Sequence, residues 1–345
     1  MKKILALLLA LVMVLSLAAC ASSQPAAAST ETAETTETTE PAAEESAEAP
    51  AESGKTYTVG VCQLVQHEAL DAATQGFVDA LKEELGDAVT VDVQNASGDS
   101  VNCGTIVNGF VSKGVDLIMA NATPALTAAV SATADIPILG TSITAYGVAL
   151  DIDDFNGTVG GNVSGTSDLA DLQAQAQMIL DWFPETKTVG LLFCSAEPNS
   201  RYQIDEVRKA LEAQGVTCEE FAFTDSNDVS SVTQKAADFS DVVYIPTDNT
   251  AASNTEAIAN VLIPAGVPAI CGEEGLCRGC GVATLSISYY DLGVTTGKMA
   301  AKILKGEADI STMPVEYTDA TPKYNASVCE QLGITPLDGY EAIDG

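Results

Sequence analysis

Residues 57–85 read YTVGVCQLVQHEALDAATQGFVDALKEEL and combine the two patterns that decide the fold. Residues 57–64 form a short, mostly apolar run bounded by polar sequence, which is typical of a buried strand. Residues 68–85 space their apolar side chains three and four positions apart, which predicts an amphipathic helix. A buried strand followed directly by such a helix begins a βαβ unit, and therefore indicates a parallel sheet.

The same alternation continues to residue 141, is interrupted by the glycine-rich residues 156–165 (NGTVGGNVSG), and then restarts. Two runs of one alternation predict two lobes of similar design. In the first run we expect strands at 89–94, 115–120 and 137–141 and helices at 100–112 and 124–133. In the second we expect helices at 169–183, 199–214, 229–239 and 250–264 and strands at 188–194, 217–223, 241–245 and 268–271.

The last elements are expected to cross between the lobes: a strand at 282–288, a helix at 290–305 and a short strand at 315–318. The predicted class is therefore α/β, with two doubly wound parallel-sheet lobes joined by hinge strands. Lobe 1 is expected to comprise residues 55–143 plus 289–318, and lobe 2 residues 144–288 plus 319–345. Ligands of such sheets bind beyond the carboxyl ends of the strands, so two facing sheets predict a cleft between the lobes.

The amino-terminal residues indicate export. Lys2 and Lys3 precede an apolar run over residues 4–17, and Leu-Ala-Ala-Cys at 17–20 closes it. This is the layout of a secretory signal peptide over residues 1–20, and its end resembles a lipobox, in which the Cys20 thiol receives a diacylglycerol. The alternative is an ordinary secreted protein with an incidental Cys20. We expect a lipid-anchored protein on the extracytoplasmic side of the cell membrane.

Residues 21–54 change character abruptly. They consist mainly of Ala, Ser, Thr, Pro and Glu, with eight glutamates and no Lys or Arg. Such a stretch buries too little apolar surface to offset the entropy of ordering. We therefore expect a disordered acidic tether between the lipid and the folded lobes.

The charge balance excludes several partners. The chain has 48 acidic and 15 basic residues, a formal net charge of −33. Nucleic acid is excluded as a partner because phosphate binding needs clustered Lys and Arg. The sequence contains no GxxxxGK[ST], GxSxG or HExxH motif, so no enzyme activity and no cofactor are expected.

Eight cysteines follow Cys20, and most lie in apolar segments, where cysteine acts as a small hydrophobe. Cys271, Cys277 and Cys280 cluster in one predicted loop. A structural zinc site usually takes four ligands, so a metal is disfavoured, while a disulfide and free thiols both remain open. We expect mostly free thiols and no metal site.

Several segments together resemble the tryptophan-binding-protein-like family of ABC transporter substrate-binding proteins. They are residues 59–70 (VGVCQLVQHEAL), 71–85 (DAATQGFVDALKEEL), 116–124 (DLIMANATP), 161–168 (GNVSGTSD), 243–249 (VYIPTDN) and 289–307 (YYDLGVTTGKMAAKILKGE). The resemblance implies a type I periplasmic-binding-protein fold and delivery of an amino acid, often aromatic, to an ABC permease. The three cysteines at 271–280 depart from the family pattern, which leaves the ligand open.

Most candidate ligand-binding residues are polar residues at the ends of the predicted strands or in the loops that follow, and Tyr289 is a candidate for stacking on an aromatic ligand. The candidates are Gln63, His67, Thr123, Thr141, Ser142, Ser167, Asp168, Ser195, Asn199, Asp248, Asn249, Glu273 and Tyr289.

Specific roles can be assigned to some of these candidates. Thr123 and the neighbouring amides of a helix N-terminus are expected to hold a carboxylate. A buried ammonium needs an ionised acceptor, for which Asp248 is preferred and Glu273 is second. Simple helix capping is the alternative for Thr123 and Asp248, and His67 is either a helix cap or a cleft residue.

The sequence therefore predicts an extracytoplasmic solute-binding lipoprotein of an ABC importer, a monomer that closes its lobes on an aromatic or hydrophobic amino acid. The alternatives are the same fold binding a sugar or nucleoside-like ligand, or acting as a sensor that presents its ligand.

Overall fold

The computed structural model describes residues 55–343, which form two parallel-dominated sheets. The expected signal peptide (1–20), lipidated Cys20 and acidic tether (21–54) lie outside the described residues. Among residues 55–343, no helix is both long enough and apolar enough to span a bilayer.

The first sheet has six parallel strands in the order β2-β1-β3-β4-β5-β11. Its strands are β1 (Tyr57–Gln63), β2 (Val89–Asn95), β3 (Leu117–Asn121), β4 (Ile138–Ile143), β5 (Val163–Ser167) and β11 (Glu316–Tyr317). Lobe 1 consists of this sheet and five helices, namely α1 (Glu68–Leu85), α2 (Ser100–Lys113), α3 (Thr123–Ala132), α4 (Tyr146–Ala149) and α11 (Tyr289–Lys305).

The second sheet has seven strands in the order β7-β6-β8-β9-β10-β12-β13, and only β12 runs antiparallel to its neighbour β10. Its strands are β6 (Thr188–Cys194), β7 (Thr217–Phe223), β8 (Val242–Ile245), β9 (Ala269–Cys271), β10 (Ala283–Ser286), β12 (Thr321–Tyr324) and β13 (Glu341–Ala342). Lobe 2 adds the helices α5 (Leu172–Trp182), α6 (Pro198–Glu212), α7 (Val229–Phe239), α8 (Asn249–Ala252), α9 (Thr255–Ala265), α10 (Glu274–Cys280) and α12 (Ala326–Leu332).

The chain passes between the two sheets after β5, after β10 and after β11. The predicted class, two doubly wound lobes joined by hinge segments, is thereby confirmed. The expected boundary at 143/144 differs from the structure, because β5 pairs with β4 and so keeps residues 163–167 in the first sheet. The glycines of this stretch obscure the sequence pattern of the short strand β5. This strand extends lobe 1 to the first crossing at residues 168–171.

Three further expectations are corrected. The single helix expected at 250–264 is two helices, α8 and α9, that are separated at Ser253 and Asn254. The cysteine-bearing segment expected as a loop contains the helix α10, which Glu273 caps. The carboxyl-terminal residues add β12, α12 and β13 to lobe 2, which periodicity did not reveal because these elements are short.

Both faces of each sheet are covered, which explains the continuous apolar runs of the strands. In β1, Val59 and Val61 join a core with α1 and α11 on one face. Cys62 joins a core with α2 and α3 on the other face. The eight cysteines of residues 55–343 are free thiols, all buried except the partly buried Cys218.

The helices α1 and α11 pack closely because glycines form their contact. A Cβ on Gly293 would meet the backbone of Ala73, and one on Gly76 would meet the carbonyl of Tyr290. Only residues without a side chain allow this approach. The contact fixes α11, which begins directly after the second crossing, to the body of lobe 1.

Replacement of Gly293 by alanine is therefore expected to lower the free energy of unfolding by about 1–3 kcal/mol through overpacking. The matched control is Gly109→Ala in α2, where an added Cβ meets nothing within 4 Å. There the better helix propensity of alanine should raise stability by about 0.5–1 kcal/mol. Urea unfolding midpoints of both variants measure this, and equal stability of the two variants would refute the close-packing account.

Candidate functional site

A small cavity lies between the lobes, where the carboxyl ends of both sheets face each other. Lobe 1 and its crossing segments supply His67, Leu70, Ser142, Thr144, Asp168 and Tyr289. Lobe 2 supplies Asn199, Thr247, Asp248, Asn249, Ala252 and Glu273.

These lining residues share one topological origin. Each of the eight polar candidates among them lies at or just after the carboxyl end of a parallel strand, or in the first turn of the helix that follows. This is the place where doubly wound sheets bind ligands. The structure therefore brings together the candidates His67, Ser142, Asp168, Asn199, Asp248, Asn249, Glu273 and Tyr289.

The other candidates have structural partners and do not line this cavity. The Gln63 amide bonds Asp71 and Thr74 inside lobe 1, and Thr141 joins a buried hydroxyl network with Thr166 and Thr296. Two further hydroxyls bind local carbonyl oxygens, Ser167 that of Thr144 and Ser195 that of Phe223.

Thr123, expected to hold a carboxylate, occupies the first turn of α3 and is buried outside the cavity lining. The residue before it, Ala122, has a φ of 86°, a left-handed conformation that is unusual for alanine.

Asp248 is a structural residue rather than an available acceptor. Its Oδ1 accepts from Ala251 N, and its Oδ2 accepts from Cys194 N at 2.6 Å and from Ser200 Oγ at 2.7 Å. Burial, reinforced by the Glu197 carboxylate, raises the pKa of Asp248 to about 8 against the effect of these hydrogen bonds. Asp248, which the sequence favours as the ammonium partner, therefore caps α8 and links β6 to α6 and α8.

Glu273 is also committed to a helix. Its two carboxylate oxygens accept from Gly275 N and Leu276 N at the start of α10. Burial raises the pKa of Glu273 to about 7, although the two N–H groups act in the opposite direction. Asp248 and Glu273, the two acids that the sequence favours as ammonium partners, therefore both cap helices.

Asp168 has an oxygen available for a ligand. Its Oδ2 accepts from the Tyr289 hydroxyl at 2.9 Å, whereas its Oδ1 is buried and has no hydrogen-bond partner among the described residues. Burial raises the pKa of this carboxyl, and the Tyr289 and Thr144 hydroxyls lower it. A buried carboxylate oxygen without a partner is suited to a cationic donor.

Glu197 was not a candidate, yet it organises the lobe 2 wall. Its carboxylate accepts from the backbone and side chains of Asn249 and Thr250 at 2.7–3.0 Å. Asn199 donates its Nδ2 to the Thr247 carbonyl oxygen at 3.0 Å. The signal that could have revealed Glu197 is its position at the N-cap of α6.

Four buried polar atoms of the lining residues have no hydrogen-bond partner within residues 55–343, and we call them the open polar atoms. They are Nδ1 of His67, Oγ of Ser142, Oδ1 of Asp168 and Oδ1 of Asn199. Buried polar groups are normally paired because an unpaired one costs about 1–3 kcal/mol. Four such atoms around one cavity leave hydrogen-bonding capacity that a polar ligand or water can take up.

Ser142 shows backbone strain as well. Its φ of 55° lies in the left-handed region, and the register between β4 and β5 shifts between Gly140 and Ile143. A serine in this conformation costs free energy and is found most often where function requires it.

A larger cavity of about 430 Å³ is also lined by both lobes and shares Asn249 with the smaller one. Residues of lobe 1 such as Leu64 and Asp99 face Glu197 and Asp225 of lobe 2 across it. We favour the smaller cavity as the ligand site because the open polar atoms line it, and we regard the larger one as the mouth of the cleft.

Comparison with known proteins agrees with this geometry. Residues 58–339 match the family described as ABC transporter substrate binding protein. The chain is 32% identical over 276 residues to a tyrosine-binding protein of Clostridioides difficile, covering 78% of this chain and 79% of that protein.

Three solved structures at similar identity cover 84% of this chain. A Streptococcus domain in complex with L-Trp has a TM-score of 0.79 at 32% identity, with all of that chain covered. A conserved domain protein from Vibrio cholerae has a TM-score of 0.80 at 30% identity, again over its full length. The ligand-free, open form of a Clostridium difficile substrate binding protein scores only 0.64 at 33% identity, over 99% of its length.

The TM-score to the open form is lower than the TM-score to the L-Trp complex, whereas sequence identity to the two is nearly equal. In the present structure the lobes contact each other beside the cavity, where His67 Nε2 lies 3.3 Å from Asn249 Oδ1. Because the family match spans nearly all of both lobes, this chain belongs to the ABC transporter substrate-binding proteins, which bind solutes outside the cytoplasm and are not enzymes.

Proposed function

We propose that this protein binds an aromatic α-amino acid in the cavity between its lobes. Anchored to the cell membrane through a lipid on Cys20, it then delivers the amino acid to an ABC permease. The open polar atoms are the observation that carries the proposal, because they call for a ligand with several hydrogen-bond donors.

The ligand ammonium is assigned to Asp168. Its Oδ1 is a buried acceptor at the cavity, and the Tyr289 hydroxyl holds the other oxygen in place. Asn199 Oδ1 provides a second acceptor, since the amide nitrogen of Asn199 donates to Thr247. This assignment replaces the earlier preference for Asp248, whose oxygens already accept three hydrogen bonds.

The ligand carboxylate is assigned to the Ser142 side of the cavity. Ser142 Oγ is the one open polar atom that carries a hydroxyl proton, so it can donate to an anion. The strained backbone of β4 presents this hydroxyl at the cavity. Leu70 and Ala252 add apolar surface for the side chain.

An aromatic side chain is supported by the relatives. One curated relative is a tyrosine-binding protein and one structural relative holds L-Trp, each at 32% identity. Sugar-binding neighbours with this fold are 12–17% identical, and their likeness concerns the fold alone.

Ligand binding is expected to favour lobe closure because the assigned partners lie on both lobes. Ser142 belongs to lobe 1, Asn199 to lobe 2, and Asp168 to the first crossing segment. A ligand can satisfy all three only when the lobes are closed, so its differential affinity shifts the equilibrium toward the closed state.

A calorimetric panel tests the ligand class. L-Tyrosine, L-tryptophan and L-phenylalanine should bind, and the best of them should also raise the melting temperature with the logarithm of its free concentration. Removing the amino group, as in 3-(4-hydroxyphenyl)propanoate, should weaken binding by at least about 30-fold because Asp168 would remain buried without a counterion. Binding of sugars or nucleosides but of no amino acid would overturn the proposal.

The Asp168→Asn variant tests the assignment of the ammonium. Loss of the carboxylate charge should weaken binding of the amino acid by about 30-fold or more, since one partner of a buried charge pair is removed. Asp291→Asn, an exposed position in α11, is the matched control and should leave the dissociation constant unchanged. Equal affinities in the two variants would remove Asp168 from the site.

The raised pKa of Asp168 predicts that the dissociation constant of the ligand depends on pH. Burial raises the pKa of Asp168 above its ordinary value of about 3.9. Below the raised pKa the free protein carries a neutral acid that must lose its proton to bind the ammonium. The dissociation constant should therefore rise about tenfold per pH unit as pH falls through this range. Titration calorimetry between pH 4 and 8 measures it, and the slope should be smaller in Asp168→Asn, where Asp248 and Glu273 remain to titrate beside the cavity.

A further inference from the structure

We propose that His67 couples ligand recognition to lobe closure: its Nδ1 accepts a hydrogen bond from the ligand ammonium while its Nε2–H donates across the cleft to Asn249. The inference rests on the proposed function and adds a role for the single histidine of the chain.

The direction of the cross-cleft bond follows from the bonding of Asn249. Its Nδ2 donates to Glu197 Oε2 at 2.7 Å, so its Oδ1 is the acceptor facing His67. His67 Nε2 lies 3.3 Å from that Oδ1 and must therefore carry the proton. This bond joins the loop after β1 in lobe 1 to the first residue of α8 in lobe 2.

The tautomer of His67 determines whether its Nδ1 is a hydrogen-bond donor or an acceptor at the cavity. In a neutral imidazole protonated on Nε2, Nδ1 carries a lone pair and acts as an acceptor. That nitrogen is one of the open polar atoms. Burial lowers the pKa of His67, against the hydrogen bond to Asn249 and the carboxylates of Glu197 and Asp71, and so favours the neutral ring.

The ordinary structural role of this residue does not account for its ring. His67 stands at the N-cap of α1, but among the described residues its side chain caps no backbone N–H of that helix. Its ring is instead directed to Asn249 and the cavity.

The resulting set of acceptors matches an ammonium group in number. His67 Nδ1, Asp168 Oδ1 and Asn199 Oδ1 are three open acceptors, and a primary ammonium has three N–H donors. They belong to lobe 1, the first crossing segment and lobe 2, respectively. A ligand nitrogen that bonds all three therefore holds both lobes and the hinge in the closed arrangement.

The first experiment is a cycle between ligand and protein. Wild-type protein should bind N-methyl-L-tyrosine at least about tenfold more weakly than L-tyrosine, because one buried acceptor stays unpaired. His67→Phe keeps a ring but removes both nitrogens, so it should bind L-tyrosine more weakly than the wild type by a similar factor. In this variant the difference in affinity between L-tyrosine and N-methyl-L-tyrosine should shrink to about threefold or less. If His67→Phe shows the same difference in affinity between the two ligands as the wild type, the proposed role of His67 is overturned.

A second readout needs no variant. In untagged protein labelled with ¹⁵N-histidine, all imidazole signals come from His67. In the amino acid complex, long-range ¹H–¹⁵N correlation should show the neutral Nε2–H tautomer, with the Nδ1 resonance shifted upfield relative to that of a free unprotonated nitrogen by the ligand hydrogen bond. The Nδ1–H tautomer, or a charged ring, would overturn the inference.

The outcomes separate the two proposals. If L-tyrosine, L-tryptophan and L-phenylalanine all fail to bind the wild type, the proposed function fails and this inference fails with it. If an amino acid binds but the cycle and the tautomer contradict the expectation, only the role of His67 fails.

Discussion

The cost of burying unpaired polar atoms governs this structure. Closing the lobes removes water from the open polar atoms of His67, Ser142, Asp168 and Asn199, and the protein itself supplies no partner for them within the described residues. Each such atom costs about 1–3 kcal/mol, so a closed, empty cleft is disfavoured. A ligand that pairs these atoms removes that cost, which makes closure dependent on the correct solute rather than on contact between the lobes.

The hinge and the ligand site are physically continuous. Asp168 lies on the crossing that follows β5, and Tyr289, which bonds it, begins α11 directly after the crossing that follows β10. The glycine contact between α1 and α11 then fixes Tyr289 to lobe 1. A ligand nitrogen at Asp168 would therefore contact the first crossing and lie one hydrogen bond from the residue that follows the second, so a small change there would act on the hinge.

The fold was largely predictable from the sequence, whereas the roles in the site were not. Strands such as β6 and helices such as α1 follow from the spacing of apolar residues, because both faces of each sheet are covered. The strand β5 was missed because glycines conceal its pattern. The position of candidates after strand ends predicted much of the cavity lining, but Asp168 and Asp248 look alike in sequence. Only the tertiary structure shows which carboxylate already accepts N–H groups.

The carboxylates around the cavity explain why a cation should be selected. Asp248, Glu273 and Glu197 each accept backbone N–H groups of first helical turns, and these bonds occupy their carboxylate oxygens. Asp168 caps no helix, and its Oδ1 has no partner among the described residues while Tyr289 bonds its Oδ2, so it is the carboxylate with an oxygen left for a ligand. A sugar hydroxyl could donate to Asp168 but could not compensate its charge, whereas an ammonium does both. The proposed preference for an amino acid thus follows from which buried carboxylate keeps an open oxygen, and not from the overall acidity of the chain.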